Sequence, residues 1–310
     1  MNFDAVIKAS VQSVTSKVKN ESARDRILSF ICTKDQVFFG QLVFLHGMLF
    51  AKESDILPHF EEGLYKIAAA VELYALSFDI LDDLEDQDNY SEPWMKIHPG
   101  EAINLATMMY TLSLQMVAEL ENSEPLTRLI SRYSVLAMEG QHEDLTGSAL
   151  TEEACLEMMK RKSGSLLAMA SMTGVIYSGG TEIPEVHEYA TQIGLAAQAE
   201  NDFRDLFHSH KSDVSAQKNT LALLYIKREF NDASKELLQF FRSGKTFEEE
   251  YGGIKTYKEV LFKSGVISYL NVIKQIAIQK AATSMNRLPL NADRIEILKS
   301  HLINNNKKEL

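Results

Sequence analysis

The stretch FDILDDLEDQDN, residues 78–89, places a dense run of acidic and amide side chains at the end of the apolar stretch IAAAVELYALS. In an α-helix, side chains at positions i, i+3, i+4 and i+7 lie on one face. Asp79, Asp82, Asp83 and Asp86 have this spacing. A run of acids most often marks a helix surface that faces solvent. The rest of the sequence must therefore decide whether this run has a function.

A second segment, GLAAQAENDFRDLF, repeats the spacing 119 residues further along the chain, with Gln198, Asn201, Asp202 and Asp205. Clustered carboxylates in a buried site raise one another's pKa unless a cation lies among them. Oxygen ligands without His or Cys suit Mg²⁺, which shares its coordination with water and phosphate oxygens. Two such faces directed at each other would hold a diphosphate through magnesium ions.

A diphosphate also needs direct cationic partners. Lys162 lies in MMKRKSGSLLAMA, where basic residues open an apolar helix, and Lys218 lies in SAQKNTLALLY just after the second acidic segment. The short element GQHEDLTG places Gln141 and Asp144 on one helical face. Each of these signals is weak alone, because an isolated lysine is most often a solvated side chain.

Helical periodicity dominates the chain of 310 residues, which is 45% hydrophobic and contains only 6 Pro and 15 Gly. The predicted helical segments include 63–88, 101–120, 124–145, 151–178, 184–208, 218–241 and 257–286. Strand-like alternation is nearly absent, and no long linker interrupts the pattern. We predict one all-α domain over 1–310 with ten or more helices, central helices at 63–81 and 164–176, and a polar tail at 304–310.

Charge and cysteine usage restrict the function classes. A net charge of −11 without a Lys/Arg cluster disfavours binding to nucleic acids. Cys32 and Cys155 lack the spacing of a zinc site or a disulfide framework, which favours a reduced, cytoplasmic environment. No stretch reaches 18 uninterrupted apolar residues, so we predict no transmembrane segment.

The elements DDLED, GQHED, KSG, QAENDFRD and KNTL occur in that order. Together they resemble the trans-isoprenyl diphosphate synthase family over roughly residues 60–225. The resemblance implies a single-domain, isoprenyl-synthase-like helical bundle around a central cavity, and a homodimer. It also implies an allylic isoprenyl diphosphate as substrate.

The resemblance further implies roles for individual residues. The metal ligands for two or three Mg²⁺ ions would come from Asp82, Asp83, Asp86, Asp144, Asn201, Asp202 and Asp205. Lys162 and Lys218 would bind the diphosphate and, with Asp82 and Asp86, carry the catalysis, while Gln141 and Gln198 would contribute to substrate binding. The second motif begins with Asn201 where the family has Asp, although an amide oxygen still binds Mg²⁺.

Phe78 and Tyr74 precede Asp82 by four and eight residues, so they lie on its helical face one and two turns earlier. In the family, bulky residues before the first motif limit the length of the isoprenyl chain. We therefore expect Phe78 and Tyr74 to form the floor of the donor pocket and to select a short donor, geranyl to geranylgeranyl. Ordinary core packing is the alternative for either residue alone.

Chain-elongating members of the family bind isopentenyl diphosphate through Gly-Lys-x-x-Arg-Pro and Arg-Arg-Gly elements. The corresponding regions here are FFGQLVFLHG, whose only basic residue is His46, and QDNYSEPWMKI, which has no arginine. This combination resembles the ComQ-type isoprenyltransferases, which implies transfer of geranyl or farnesyl to a tryptophan of a quorum-sensing pheromone precursor peptide. The alternatives are a short-chain prenyl diphosphate synthase, a terpene cyclase and a non-catalytic helical subunit that regulates a partner synthase.

Overall fold

The computed structural model describes residues 3–34, 36–121, 123–207 and 219–304. Helices make up most of these residues, and none of them lies in a β-strand. The predicted all-α class is therefore confirmed. Within the same ranges, no single helix is long and apolar enough to cross a membrane, although Glu21–Thr33 and Phe38–Phe50, bent by 71°, pass the length and composition test as a pair.

The described residues form fifteen α-helices. The first six are α1 (Phe3–Thr15), α2 (Glu21–Thr33), α3 (Phe38–Phe50), α4 (Pro58–Asp86), α5 (Pro99–Ala118) and α6 (Ser123–Thr146). The next five are α7 (Glu152–Met159), α8 (Ser165–Tyr177), α9 (Pro184–Asp205), α10 (Leu221–Ile226) and α11 (Asp232–Ser243). The last four are α12 (Phe247–Tyr251), α13 (Ile254–Ser264), α14 (Val266–Met285) and α15 (Ala292–Lys299). Single 3₁₀ turns span Glu53–Asp55 and Pro93–Lys96, and π-helical segments span Lys160–Gly164 and Ser300–Asn304.

Three predicted helices are divided where the backbone cannot continue as an α-helix. The predicted helix 218–241 is wrong as one element, because Glu229 has a φ of 50° and Asn231 caps α11 by accepting from the backbone N–H of Ser234 at 2.8 Å. The predicted helix 257–286 breaks at Gly265, which has a φ of 85°. The predicted helix 151–178 contains the π-helical segment Lys160–Gly164.

The chain forms two compact units. Unit 1 comprises Met1–Val135, Leu166–Glu188 and Ser284–Leu310, and unit 2 comprises Leu136–Ser165 and Tyr189–Thr283. The single-domain organisation over 1–310 stays a prediction. Of the polar tail predicted at 304–310, residues 305–310 lie outside the described residues.

Helix α4 forms the centre of unit 1, packing against α1, α3 and α5. Every residue from Ile67 to Ser77 is buried, so this stretch contacts protein on all sides. A helix that is apolar around its whole circumference is stable only in such a position. The prediction that 63–81 is a central helix is confirmed, and α4 carries the first acidic segment at its carboxyl end.

Unit 2 has its own apolar core. Cys155, Met158 and Met159 of α7 pack in one cluster with buried side chains of α10, α11 and α13. Burial raises the pKa of the Cys155 thiol, which therefore stays neutral. The same cluster contains Ala199 and Leu206, so this core supports the helix that carries the second acidic segment.

Candidate functional site

The first acidic segment ends α4 with a tight turn. Gln87 adopts a left-handed conformation, with a φ of 52°, and its backbone N–H donates to the carbonyl of Asp83. Asn89 is also left-handed, with a φ of 48°, which Asn tolerates better than most residues. The chain therefore reverses immediately after Asp86, and residues 87–96 fold back beside the end of the helix.

Asp83 is the buried carboxylate of this segment, with 6% of its surface exposed. Its Oδ1 accepts from Asn89 Nδ2 at 2.6 Å, and its Oδ2 accepts from the indole Nε1 of Trp94 at 2.7 Å. Burial raises the pKa of Asp83 to about 6, although these two hydrogen bonds favour the charged form. Both oxygens thus have donors within the protein, and metal ligation by Asp83, which would compete with them, stays a prediction.

Asp79, one turn earlier, forms an ion pair with Lys34, whose Nζ lies 2.7 Å from Asp79 Oδ2. Burial lowers the pKa of Lys34, but the attraction of Asp79 outweighs it and the pKa is raised overall. Glu72 lies two turns before Asp79 and accepts from the backbone N–H of Gly40 at 2.9 Å. The first acidic quartet is therefore divided, because Asp79 and Asp83 are engaged with Lys34, Asn89 and Trp94.

Asp82 and Asp86 lie one helical turn apart at the end of α4 and are both partly exposed. In the part of the chain that the structure describes, no three acidic, His or Cys side chains gather into a metal-binding group. Two carboxylates one turn apart fit an ion that takes its other ligands from water and phosphate. Ligation by Asp82 and Asp86 stays a prediction.

Tyr74 and Phe78 belong to an aromatic cluster that also includes Tyr110 of α5. The ring centroids of Tyr74 and Phe78 lie 4.7 Å apart in a stacked arrangement, and those of Tyr74 and Tyr110 lie 5.4 Å apart. Tyr74 is 1% exposed and its hydroxyl donates to Ser134 of α6, while Phe78 and Tyr110 are partly exposed. Tyr74 thus anchors the cluster, and the other two rings present its accessible surface.

In unit 2, the predicted diphosphate ligand Lys162 and the predicted metal ligand Asp144 form an ion pair. Lys162 Nζ lies 2.8 Å from Asp144 Oδ2, and the two side chains are 15% and 13% exposed. The neighbouring Arg161 pairs with Glu143 at 2.5 Å. Each member of the Lys162–Asp144 pair is predicted to bind a ligand of the opposite charge, and here the two charges neutralise each other.

Lys162 lies in the π-helical segment Lys160–Gly164, which packs closely against glycines of two helices. A Cβ on Gly140 of α6 would lie 2.3 Å from the backbone nitrogen of Lys162, and a Cβ on Gly194 of α9 would lie 2.4 Å from Gly164 Cα. Backbone contacts this close are possible only with glycine. These close contacts fix the backbone position of Lys162 and thereby the direction of its side chain. π-helical insertions often occur at functional sites.

The second acidic segment is joined to the lysine segment by hydrogen bonds. Ser163 donates to Gln198 Oε1 at 2.7 Å, and Gln198 Nε2 donates to Asp202 Oδ1 at 3.3 Å. Asp202 is buried, whereas Asn201 is exposed and Asp205 is partly exposed. The structure thus shows Gln198 holding Asp202, while its predicted contact with substrate stays a prediction.

The remaining predicted site residues are found in different places. Gln141 lies on α6 one turn before Asp144 and is partly buried. Asp202 and Asp205 line a small depression with Thr220, Leu206 and Phe241. Lys218 lies outside the described residues, so its predicted contact with diphosphate stays a prediction.

Sequence reasoning missed five residues that hold these groups: Asn89, Trp94, Tyr110, Ser134 and Ser163. Trp94, the single tryptophan, is only 1% exposed and donates a hydrogen bond to Asp83 that its sequence neighbours do not predict. The high turn propensity of QDN is the only local signal for the reversal that brings Asn89 back to Asp83. The other contacts join separate helices and have no signal in the sequence.

Comparison with known proteins identifies similar chains. Residues 41–258 match the polyprenyl synthetase family. The chain is 36% identical over 280 residues to the tryptophan prenyltransferase ComQ of Bacillus spizizenii, covering 90% of this chain and 98% of that protein. It is 33% identical over 295 residues to the protein of the same name from Bacillus subtilis strain 168, covering 95% and 96% of the two chains. The predicted similarity to ComQ-type proteins is confirmed.

Solved structures show the same fold. A geranylgeranyl pyrophosphate synthase superposes with a TM-score of 0.84 at 18% identity, over 98% of both chains. A heptaprenyl diphosphate synthase from Staphylococcus aureus superposes with a TM-score of 0.77 at 19% identity, over 97% of both chains. The predicted isoprenyl-synthase-like fold is confirmed. The family match and the two relatives above 30% identity establish that the chain belongs to the polyprenyl synthetase family.

Proposed function

We propose that the protein is a prenyltransferase that moves a short isoprenyl group, geranyl or farnesyl, from its diphosphate to a tryptophan of a pheromone precursor peptide involved in quorum sensing. The observation that carries this proposal is the similarity to relatives named tryptophan prenyltransferase, which extends over at least 90% of this chain. The acidic and basic residues described above supply the groups that a diphosphate substrate requires.

The donor set fits Mg²⁺. All predicted ligands offer carboxylate or amide oxygens, and none offers imidazole or thiolate. By the likeness to the family, we assign metal binding to Asp82 and Asp86 at the end of α4, and to Asp144, Asn201, Asp202 and Asp205 in unit 2. When bound, Mg²⁺ neutralises the charge that develops on the departing diphosphate. Two or three ions would serve this role in the family to which the chain belongs.

The Lys162–Asp144 pair prepares the protein for a diphosphate. A carboxylate that is largely buried holds the ammonium in place, so the lysine does not need to be ordered again when an anion arrives. Diphosphate oxygens are stronger acceptors for Lys162, since they carry more charge than one carboxylate. Asp144 would then be released from this bond to contact the metal.

The acceptor region favours a neutral acceptor. In FFGQLVFLHG the only basic side chain is His46, which is fully buried and whose Nδ1–H donates to the carbonyl of Leu42 at 2.6 Å. Burial lowers the pKa of His46 to about 4, so the imidazole is uncharged at neutral pH. Lys34, just before this region, pairs with Asp79. An indole carbon is a neutral nucleophile and needs no cationic clamp, unlike a second diphosphate.

The acceptor peptide, the homodimer and a cytoplasmic location belong to the same proposal. Several large apolar side chains of α5 and α6 are exposed, including Ile103, Val135 and Met138. These residues would be covered by a second copy of the chain. Size-exclusion chromatography with light scattering tests this point directly, since a monomeric mass would contradict it.

The proposed transfer is tested by mass spectrometry of a short tryptophan-containing peptide encoded next to this gene and co-expressed with the protein. We expect the peptide to gain the mass of one isoprenyl group with the wild type. Asp82→Ala or Asp86→Ala should remove that product, and Glu85→Ala, an exposed carboxylate on the same turn, is the matched control. Unmodified peptide with the wild type would contradict the proposal.

The alternative synthase activity is tested in the same preparation. Geranyl or farnesyl diphosphate is supplied with isopentenyl diphosphate, and the products are separated by length. We expect no elongated product. Elongation without peptide modification would identify a short-chain synthase, and no diphosphate release with either acceptor would identify a non-catalytic subunit.

A further inference from the structure

One group of residues in unit 1 joins the end of α4 to two other segments. We call Lys34, Asp79, Asp83, Asn89 and Trp94 the Asp83 cluster. Trp94 and Asn89 donate to the two oxygens of Asp83, and Lys34, which pairs with Asp79, lies 5.7 Å above the centre of the indole ring. The cluster thus connects the carboxyl end of α2, the end of α4 and the 3₁₀ turn Pro93–Lys96.

We infer that Asp83 is a positioning residue for the first acidic motif, and that the indole N–H of Trp94 is the donor that fixes it. This inference rests on the proposed function, because it assumes that Asp82 and Asp86 hold magnesium diphosphate. In this role Asp83 contacts neither metal nor substrate. It sets the direction of the neighbouring carboxylates, Asp82 and Asp86.

The end of α4 needs such a support. Negative side chains are unfavourable at the carboxyl end of a helix, where the helix dipole is itself negative. Here four acids, at positions 82, 83, 85 and 86, occupy the last five residues of the helix. Their mutual repulsion adds to the effect of the dipole. Without outside contacts this last turn would fray and leave Asp82 and Asp86 in many orientations.

The Asp83 cluster supplies the outside contacts. Asp83 is buried, so both of its oxygens need donors, and Asn89 and Trp94 provide one each. The indole is packed edge-to-face against Phe30 at 5.6 Å between ring centroids, which limits its rotation. A rigid donor fixed by packing holds the carboxylate better than a flexible side chain would. The positions of Asp82 and Asp86 then follow from the helix itself.

Trp94→Phe is the most informative variant, because it keeps an aromatic ring in the packed site and removes the N–H donor, together with part of the buried volume of the indole. Tyr90→Phe, which loses an exposed hydroxyl in the same turn, is the matched control. The measurement is the thermal stabilisation of each protein by Mg²⁺ with inorganic pyrophosphate. Since a hydrogen bond to a charged group is lost, we expect the Mg²⁺ concentration for half of the effect to rise about tenfold in Trp94→Phe. It should stay unchanged in Tyr90→Phe.

A conservative second change should rescue the first. Asp83→Asn in the Trp94→Phe background removes the charge that lost its donor and keeps an oxygen that accepts from Asn89. We expect this double variant to recover thermal stability relative to Trp94→Phe, whereas Asp83→Asn alone directs an amide against the indole N–H and loses stability. In peptide modification, Trp94→Phe should raise the Mg²⁺ requirement more than it lowers the rate at saturating Mg²⁺.

The wild type offers a second readout that does not depend on any Trp94 variant folding. Trp94 is the only tryptophan of the chain, so its fluorescence reports on the Asp83 cluster alone. We expect Mg²⁺ with pyrophosphate to change its emission, and Asp82→Ala to remove the change. Unchanged emission under conditions that fully stabilise the wild type would overturn the inference, as would an unchanged Mg²⁺ requirement in Trp94→Phe.

The same experiments distinguish a failure of the proposed function from a failure of this inference. If the protein uses another acceptor, the stabilisation by magnesium pyrophosphate and its dependence on Trp94 are kept, while the peptide stays unmodified. If magnesium pyrophosphate does not stabilise the wild type at all, the magnesium diphosphate site and the role of the Asp83 cluster are both excluded.

Discussion

At the scale of single residues, adjacent residues in the sequence can have different surroundings and therefore different roles. Asp82 and Asp83 are adjacent, yet Asp83 is buried between two donors and Asp82 is partly exposed. Likewise Lys162 and Arg161 are adjacent and pair with different carboxylates, Asp144 and Glu143. Residue type and spacing identify the motif, but the partner of each side chain determines what it does.

The Lys162–Asp144 pair predicts a coupled loss of stability. Removing one partner removes a charge-assisted hydrogen bond from a largely buried site, so Lys162→Met and Asp144→Asn should each lower the free energy of unfolding by about 2 kcal/mol. Because both variants remove the same contact, the double variant should lose less than the sum of the two. Urea unfolding followed by circular dichroism measures all four proteins, and additive losses would contradict the coupling. Only Lys162→Met should also weaken binding of pyrophosphate without Mg²⁺.

The buried carboxyl group of Glu72 predicts that the stability of the protein depends on pH. Burial raises its pKa from 4.5 to about 7, so the folded protein favours the protonated form. The stability contributed by this group is fully present below pH 4.5 and is lost as the pH rises through 7. Glu72→Gln has no such loss, so its stability relative to the wild type should increase by about 3 kcal/mol between pH 4.5 and pH 7. Glu62→Gln, an exposed site on the same helix, is the control, and a parallel pH profile for both variants would contradict the assignment.

At the scale of helices, the sequence predicts most elements but not their interruptions. The apolar run of α4 is unmistakable because residues 67–77 are buried on every side. The π-helical segment Lys160–Gly164 is invisible, since its residues continue a helical pattern and only the contacts with Gly140 and Gly194 distinguish it. The break at Glu229 is equally hidden, because glutamate is a good helix former and its φ of 50° is set by its surroundings.

The close contact between α6 and the π-helical segment predicts that Gly140→Ala destabilises the protein. The new Cβ would meet backbone atoms of Arg161 and Lys162 at 2.8 Å or less, and backbone yields less easily than a flexible side chain. We expect a loss of about 2 kcal/mol in the free energy of unfolding from this overpacking. Displacing Lys162 should also weaken pyrophosphate binding. The control is Glu139→Ala, an exposed neighbour on α6, and equal pyrophosphate affinity in both variants would show that the close contact does not position Lys162.

At the scale of the whole molecule, the order of five short motifs predicts the family and the fold, while the contacts that complete the site depend on tertiary structure. The periodicity of α4 places Phe78 and Tyr74 on the face of Asp82, but it gives no sign that Tyr110 of α5 lies 5.4 Å from Tyr74 or that Ser134 of α6 accepts its hydroxyl. The Asp83 cluster likewise joins residues up to 60 positions apart, from Lys34 to Trp94. Patterns within one helix are local, whereas these partners are brought together only by the packing of several helices.

The aromatic cluster of Tyr74, Phe78 and Tyr110, formed by α4 and α5, predicts which isoprenyl donor the protein prefers. If Phe78 and Tyr110 end the space for the isoprenyl chain, Phe78→Ala and Tyr110→Ala should each shift the preferred donor by about one five-carbon unit, because the removed ring leaves room for it. Tyr74→Phe keeps the ring and loses only the hydrogen bond to Ser134, so it should cost about 1 kcal/mol of stability and leave donor preference unchanged. The measurement is a competition among geranyl, farnesyl and geranylgeranyl diphosphates, with the mass of the modified peptide identifying the donor used. If the alanine variants keep the wild-type preference, the cluster is core packing and chain length is set by other residues.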